Sequence, residues 1–510
     1  MKKTLLLLLA LFVSTMMYAG NFVMIKVKNQ QNLQELFARQ DINIHYYNDN
    51  FVLATSENLD ENMILLDENS FASNDLYFIV YCNESEQTSY ASREKNNMEV
   101  LYSDANINIV KPLNANLRPA KNDGMVAISN KTARLAKATR DFPSITEEDE
   151  KVRGFMDQVS IENLTATVEY LQAYEERYYN SEKAYDAANW IQEQFDNLEV
   201  LETEQFPVSY YGNPCAPNVI AIQWGTTKSE EFVVCGSHLD SYSYSGMCPG
   251  ADDNATGVAS VLEAARILSQ HNFERSIIYC AFGAEEIGLI GSAAYAEYCA
   301  EMGMNVVGYF NNDMNGYLNP GDEIHIDLIY PNSVEPIGEY YMNLANVYFP
   351  EMQVRHVNFQ AGDSDHTSFN NNGFMGIYPF EDYQNYSPYI HTGNDMIGPS
   401  VNSFEMSQRY AQMNIACVST LAILDTESVE ENITNNNVAM FPNPAKNELT
   451  IASEFNGNNE VQIINSVGQV VKEFSFMNET TVNIDELNAG VYFVKVIGEN
   501  TTTKKLVVKE

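Results

Sequence analysis

Between residues 219 and 310 four apolar runs recur: Val219-Ile220-Ala221-Ile222, Phe232 to Cys235, Ser276 to Phe282 and Asn305 to Phe310. Stretches of helical periodicity such as Thr256 to Ser269 separate them. Strands that alternate with helices have few folding solutions, because each helix must cross back over the sheet to start the next strand. The pattern predicts an α/β domain with a mainly parallel central sheet flanked by helices. Ile161 to Leu171 and Ala184 to Phe195 lead into it and the helix Ser403 to Ile423 closes it, which places the domain at residues 151–425.

The flanks read differently. Lys2 and Lys3, the apolar stretch Leu5 to Val13, and then Ala19 and Gly20 have the pattern of a secretory signal at residues 1–19, with an apolar core too short to span a bilayer. Residues 20–117 alternate short strand patterns (Val23, Ile25, Val27; Phe51 to Ala54; Leu76 to Cys82) with helical stretches such as Leu33 to Arg39, an α+β unit. Residues 118–150 read as a linker carrying Arg118, Lys121, Lys131, Arg134, Lys137 and Arg140. That basic cluster stands out in a chain whose 69 Asp and Glu outnumber 29 Lys and Arg. A trypsin-like protease could cut there, so the N-terminal unit is expected to be a removable pro-segment. Residues 426–439 are acidic and Asn-rich, a second linker, and residues 440–510 alternate as a small β-sandwich does.

The net charge of −40 argues against nucleic acid or an anionic membrane as a partner. No later apolar run reaches the ~18 residues of a membrane span, so no transmembrane segment is expected. The seven cysteines contain no Cys-x-x-Cys pair. Cys235 and Cys280 fall in strand runs and read as buried thiols. Cys215 and Cys248 lie in loop-like sequence and are the candidate disulfide of an exported chain.

Sites in open α/β sheets form outside the carboxyl ends of the strands. Here Phe232 to Cys235 runs into Gly236-Ser237-His238-Leu239-Asp240-Ser241, and the next loop holds Asp252-Asp253-Asn254. The strand ending at Phe282 delivers Glu285 and Glu286, Val306 to Phe310 runs into Asp313, and a late loop holds Tyr389-Ile390-His391-Thr392. Each piece alone has a bland reading: a hydrogen-bonded His-x-Asp pair, a helix N-cap at Asp253 or Thr256, two acids ahead of a helix. Together they put five oxygen and nitrogen donors on one edge of one sheet. Buried acids gathered that closely repel one another unless cations neutralise them.

"GSHLDS", "PGADDNATGVA", "FGAEEIGLIGS", "NND" and "IHT" resemble, in order and spacing, the motifs of the zinc-dependent aminopeptidase family of secreted leucyl aminopeptidases. That family also contains glutamate carboxypeptidases, transferrin-receptor ectodomains and glutaminyl cyclases. The resemblance spans about residues 155 to 425 and implies a site for two Zn²⁺ ions. Asp253 would bridge the ions, His238 and Asp313 would complete one ion's protein ligands, and Glu286 and His391 the other's. Asp240 would accept the remaining ring N–H of His238, and the Asp253–Asn254 peptide would be cis. Glu285, free of metal, would be the general base that takes a proton from the attacking water. Asp365, His366 and Ile390 would belong to the substrate pocket. The position at which some relatives carry an oxyanion-assisting tyrosine is Ala361 here. His271, His325 and His356 have no motif context.

The C-terminal segment has its own resemblance. "FPNPAKNELTI", "NSVGQVV" and "LNAGVYFVKV" are similar to the sorting domain of type IX secretion substrates. It implies a partner in that secretion machinery and a route through the periplasm and outer membrane to the cell surface or beyond. The expectation is an exported zinc metallo-aminopeptidase that removes N-terminal, apolar residues from peptides. A glutaminyl-peptide cyclotransferase is the first alternative, although such cyclases carry Trp where Ile390 stands. A carboxypeptidase or dipeptidase of the same fold is the second. A binding ectodomain without activity is disfavoured because every ligand position is filled.

Overall fold

The computed structural model describes residues 20–71, 76–81, 97–104, 106–113, 124–136, 142–244, 246–358, 362–424, 438–442, 445–453, 455, 457–465, 470–488, 490–498 and 501–508. The expected signal at 1–19, most of the linker at 426–439, Cys82 and Ala361 lie outside them. The chain divides into two compact units, residues 1–424 and 425–510.

An eight-stranded sheet organises the first unit, in the order Val354–Val357, Ile326–Ile329, Gly376–Phe380, Asn305–Asn311, Lys228–His238, Arg275–Phe282, Asn218–Gln223, Glu202–Phe206. Gly376–Phe380, Asn305–Asn311, Lys228–His238 and Arg275–Phe282 are adjacent and parallel. On one side Ile326–Ile329 joins them antiparallel and carries Val354–Val357 parallel to itself; on the other Asn218–Gln223 and then Glu202–Phe206 are added by antiparallel pairing. The four parallel strands, and the antiparallel Asn218–Gln223 beside them, are apolar because both of their faces are covered. Val233, Cys235, Ile277 and Tyr279 pack with Val258 and Val261 of the helix Thr256–Leu268 on one face. Val234, Ile278 and Cys280 pack with Tyr295 and Cys299 of the helix Ile290–Glu301 on the other. Successive strand side chains point to opposite faces, so one run of residues feeds both cores.

The N-terminal segment contains two four-stranded antiparallel sheets of the same design. In the first the order is Ile42–Tyr47, Phe51–Ser56, Gly20–Lys26, Met63–Ser70; in the second it is Met98–Asp104, Ile107–Pro112, Tyr77–Tyr81, Met125–Ile128. In each, the strand earliest in the chain lies between the third and fourth. Each also has a register shift in the pairing of its second and third strands, at Ile44/Tyr46 and Val100/Tyr102.

Two expectations need correction. Residues 118–150 are not a plain linker: Met125–Ile128 is a strand paired with Tyr77–Tyr81, and Ala133 and Ala136 are buried. A four-residue apolar strand is too short to show a period, and the surrounding basic residues masked it. Cys215 and Cys248 do not form a disulfide; both are buried free thiols. The Cys248 thiol donates to the Ser241 carbonyl at 3.2 Å, whereas Cys215 packs beside Val208 and Tyr210. Cys235 and Cys280 are buried free thiols as well.

The second unit pairs a three-stranded sheet (Val438–Phe441, Glu448–Ser453, Glu479–Asn483) with a four-stranded one (Val470–Phe476, Asn459–Asn465, Gly490–Ile497, Thr501–Val508). Leu449 and Ile451 of the first share one apolar core with Val461, Ile463, Val494 and Val496 of the second, a β-sandwich. Among the described residues no helix is long and apolar enough to cross a membrane.

Candidate active site

The carboxyl ends of the four parallel strands converge. His238 ends Lys228–His238, Glu285 and Glu286 follow Arg275–Phe282, Asp313 follows Asn305–Asn311, and the loop after Gly376–Phe380 reaches His391. Asp253 enters from the turn Ala251–Ala255, just before the helix Thr256–Leu268. All of these side chains are buried.

Asp253 stands at the centre. Its Oδ1 is 3.2 Å from His238 Nε2, and its Oδ2 is 3.2 Å from His391 Nε2. Asp313 Oδ1 lies 3.4 Å from His238 Nε2, and Glu286 Oε2 lies 2.9 Å from His391 Nε2. One carboxylate therefore separates two donor groups, each with one imidazole and one further acid. Glu285 Oε2 is further out, 4.0 Å from His238 Nε2. The Asp253–Asn254 peptide is cis.

Backbone shape explains how adjacent residues take different positions. Ala284, Leu289, Met314 and His391 have φ between 51° and 61°, in the left-handed region that residues with a Cβ seldom adopt. Ala284 turns the chain immediately before Glu285, so the two glutamates leave the strand in different directions.

Two carboxylates hold the acidic loops by their backbones. Asp240 Oδ1 accepts the Glu285 N–H at 3.1 Å and Oδ2 the Glu286 N–H at 3.4 Å. His238 Nδ1 faces the Asp240 main-chain carbonyl at 3.2 Å, with the carboxylate 3.7 Å away, because that carboxylate is engaged by the glutamate amides. Asp395 repeats the device: its two oxygens accept the Asp252 and Asp253 N–H groups at 2.9 and 3.1 Å. Asp313 receives a hydrogen bond from Ser364 Oγ at 2.7 Å, and Ser364 in turn accepts from Asn311 at 2.7 Å.

The donor set fits cations. His238 Nε2, Glu286 Oε1 and Asp313 Oδ1 are buried without a hydrogen-bond partner among the described residues. Such atoms are rare in native folds unless something else satisfies them. Burial and the Asp253 charge push the Glu286 carboxyl up to about 7, and burial holds the Glu285 carboxyl well above its usual range. Burial opposes charge on both histidines too, yet Glu285 and Asp313 around His238, and Glu286 and Asp253 around His391, hold both imidazoles well above theirs. Divalent cations would relieve this repulsion among the acids. Mixed imidazole and carboxylate donors suit zinc.

The site opens into a cleft. Its acidic half comprises Asp253, Glu285, Glu286, Asp313 and Asp363; its apolar half includes Met314, Tyr378, Phe380, Tyr386 and Ile390. Ile390 lines this cleft. Asp365 and His366 do not line it: both are buried, Asp365 beside Ser292 and close to the His238 charge, and His366 against a neighbouring cavity. They follow Ser364 into the short helix His366–Asn371, which turns them inward.

Arg177 and Asp395 belong to the site although no motif marks them in the sequence. Arg177 is fully buried, and its guanidinium donates to the carbonyls of Leu171, Leu239, Pro249 and Gly250. Asp395, four residues after His391, was visible only as one more acid. His325, Asp327 and Asp382 form a third acidic group, but the Arg355 guanidinium fills it, 3.1 Å from Asp327 Oδ2 and 3.4 Å from His325 Nε2.

Residues 218–413 match the sequence profile of peptidase family M28, and residues 439–509 that of a secretion system C-terminal sorting domain. The probable leucine aminopeptidase of Arthroderma otae is 28% identical over 275 residues, 50% of this chain and 72% of its own length. Leucine aminopeptidase 1 of Arthroderma gypseum is 28% identical over 312 residues, 57% of this chain and 82% of its own. Among solved structures, the LapA aminopeptidase of Legionella pneumophila shares the fold with a TM-score of 0.56 at 20% identity, over 69% of this chain and all of that one. LapB from the same organism gives 0.55 at 20% identity, over 68% of this chain and 99% of that one.

Proposed function

Because the chain carries a peptidase family M28 domain followed by a secretion sorting domain, we propose that it is an exported zinc aminopeptidase acting on peptides with a free, apolar N-terminal residue. The observation that carries this reading is Asp253, with one oxygen facing each of two imidazole–carboxylate groups. His238, Asp253 and Asp313 would hold one ion, and His391, Asp253 and Glu286 the other. When bound, the two ions polarise the scissile carbonyl and make water acidic enough to deprotonate near neutrality.

The chain's residues do the rest. Glu285 takes the proton of the attacking water and delivers it to the departing amine. Asp240 and Asp395 fix the backbones that carry Glu285, Glu286 and Asp253, so the side chains need no reorganisation during the reaction. The apolar half of the cleft receives the first side chain. Five carboxylates line the cleft, and no Lys or Arg does so among the described residues. Two divalent ions would offset four of those charges, leaving the cleft negative enough to suit an ammonium and with no Lys or Arg among the described residues for a substrate carboxylate. That favours an aminopeptidase over a carboxypeptidase.

Metal analysis of the purified enzyme should find two zinc ions per chain, and Asp253→Asn should lower that number. One tight ion in a fully active chain would sink the two-ion site. In a panel of aminoacyl-anilides, N-acetylated analogues and N-terminal-Gln peptides, free-amine substrates should be hydrolysed. Acetylation should slow hydrolysis by ~10²-fold or more, because it removes the cation the cleft is charged to receive. Cyclisation of the Gln peptides without hydrolysis of the anilides would instead indicate a cyclotransferase. The sorting domain is proposed to engage the type IX machinery, to take the chain through the periplasm and outer membrane, and to be removed on export. Mass spectrometry of the exported protein should then place its C-terminus between residues 426 and 440.

A further inference from the structure

The cleft has a side that the matched peptidase region does not supply. Gly124 and Met125, from the N-terminal unit, line it together with Asp253, Glu285 and Asp313. A Cβ built on Gly124 would come within 3.1 Å of Gly362 Cα, so this backbone lies directly against the far rim of the cleft. The Met125 side chain joins an apolar cluster with Ala284 and Ile287, the residues on either side of the glutamate pair. Two residues on, Ala127 donates its N–H to the Gly288 carbonyl at 3.0 Å. Gly288 has a φ of 119°, and a Cβ there would come within 2.9 Å of Ala127 N, so the close approach requires glycine. Tyr46 and Tyr81, one from each N-terminal sheet, place their hydroxyls 3.4 and 3.3 Å from Asp363 Oδ2 at the same rim.

These contacts are those of a built-in part. Leu289 sits in the apolar core of the N-terminal sheets with Phe22 and Tyr77. Tyr47 donates to the Asn371 side chain and the Asn370 carbonyl, and the Arg134 N–H to the Asn371 carbonyl at 2.7 Å. A segment meant to leave would expose an apolar seam at the glutamate loop itself.

We propose that residues 20–136 are retained in the working enzyme, that their described part at Gly124 and Met125 is a permanent wall of the cleft, and that Met125 is a specificity-determining residue that limits the substrate's first side chain. This rests on the peptidase reading above and departs from the expected removal of a pro-segment. Met125 reaches the cleft from outside the metal-binding strands, so its size can set the cleft's length without altering the donor set.

The test uses the full chain with Met125→Ala and Met125→Phe. Melting and zinc content identify any variant that fails to fold. Relative kcat/KM is then measured over aminoacyl-anilides of graded side-chain size. Met125→Ala should shift the large-to-small preference by about tenfold towards large side chains, and Met125→Phe should shift it the other way. Unchanged ratios, or a uniform loss on every substrate, would overturn the assignment and leave Met125 as a mere buttress of the glutamate loop. Mass spectrometry of the active exported enzyme should still find residues 20–136 with the catalytic unit, whether or not the chain has been nicked. Their absence would overturn the wall. If the parent chain cleaves no anilide, the peptidase reading fails instead, and retention or loss of residues 20–136 alone decides the wall.

Discussion

Glu285→Gln should lower kcat by ~10²–10⁴-fold while zinc content, melting temperature and KM stay close to those of the parent enzyme. The amide keeps the size and hydrogen-bonding reach of the carboxylate and loses only its basicity. Glu285 approaches its nearest imidazole at 4.0 Å, whereas Glu286 approaches His391 at 2.9 Å, so the two neighbours answer to different parts of the site. Glu286→Gln replaces an anionic ligand by a neutral one. It should therefore lose one ion, and excess zinc should restore part of its activity. Zinc stoichiometry measured beside kcat separates the two roles. Metal loss in Glu285→Gln with retention in Glu286→Gln would show that the assignments are reversed. Full turnover in both would mean that neither residue takes part.

The central domain was legible because its chemistry is written at strand ends. His238, Glu285, Glu286 and Asp313 each follow an apolar run that only a buried strand explains, and a polar residue in that place needs a reason. His391 and Asp253 were found through motif spacing, and the structure brings all of them within reach of one another. What escaped detection has no local pattern. Met125–Ile128 is four residues, no longer than a β-turn, and only its pairing with Tyr77–Tyr81 makes it a strand. The shared design of the two N-terminal sheets lies in strand order and register shifts, which composition does not record. Asp240 was placed by its spacing from His238, but its carboxylate turns to the glutamate amides, a choice made by a loop 45 residues later. Cys215 and Cys248 look like a pair only on paper, since each is sealed among different neighbours.

Arg177→Met should destabilise the first unit by about 4 kcal/mol or more, although Arg177 touches neither the proposed metals nor the cleft. Methionine fills a similar length of side chain, so the loss is electrostatic. Four carbonyls, those of Leu171, Leu239, Pro249 and Gly250, lose a charged donor at positions that water does not reach. Leu239 lies between His238 and Asp240, and Pro249 and Gly250 open the loop that presents Asp253. The guanidinium thus ties together the backbones on which both sides of the proposed two-ion site rest. Its charge also sits near Asp395, Asp240 and Asp253, while burial holds its pKa below the usual arginine value. At ~2.1 cal/mol/K per residue over about 400 residues, 4 kcal/mol corresponds to a fall of roughly 5 °C in melting temperature. Zinc affinity should fall by ~10–100-fold in the same variant, as when residues that orient metal ligands are lost. Arg177→Lys should rescue only part of either loss, because one ammonium with three donors cannot reproduce a planar fork that reaches four acceptors. Calorimetry and zinc titration of the two variants check both effects. If Arg177→Met melts and binds zinc like the parent, the loops that carry His238 and Asp253 are held by their own backbones, and the buried arginine does not organise the site.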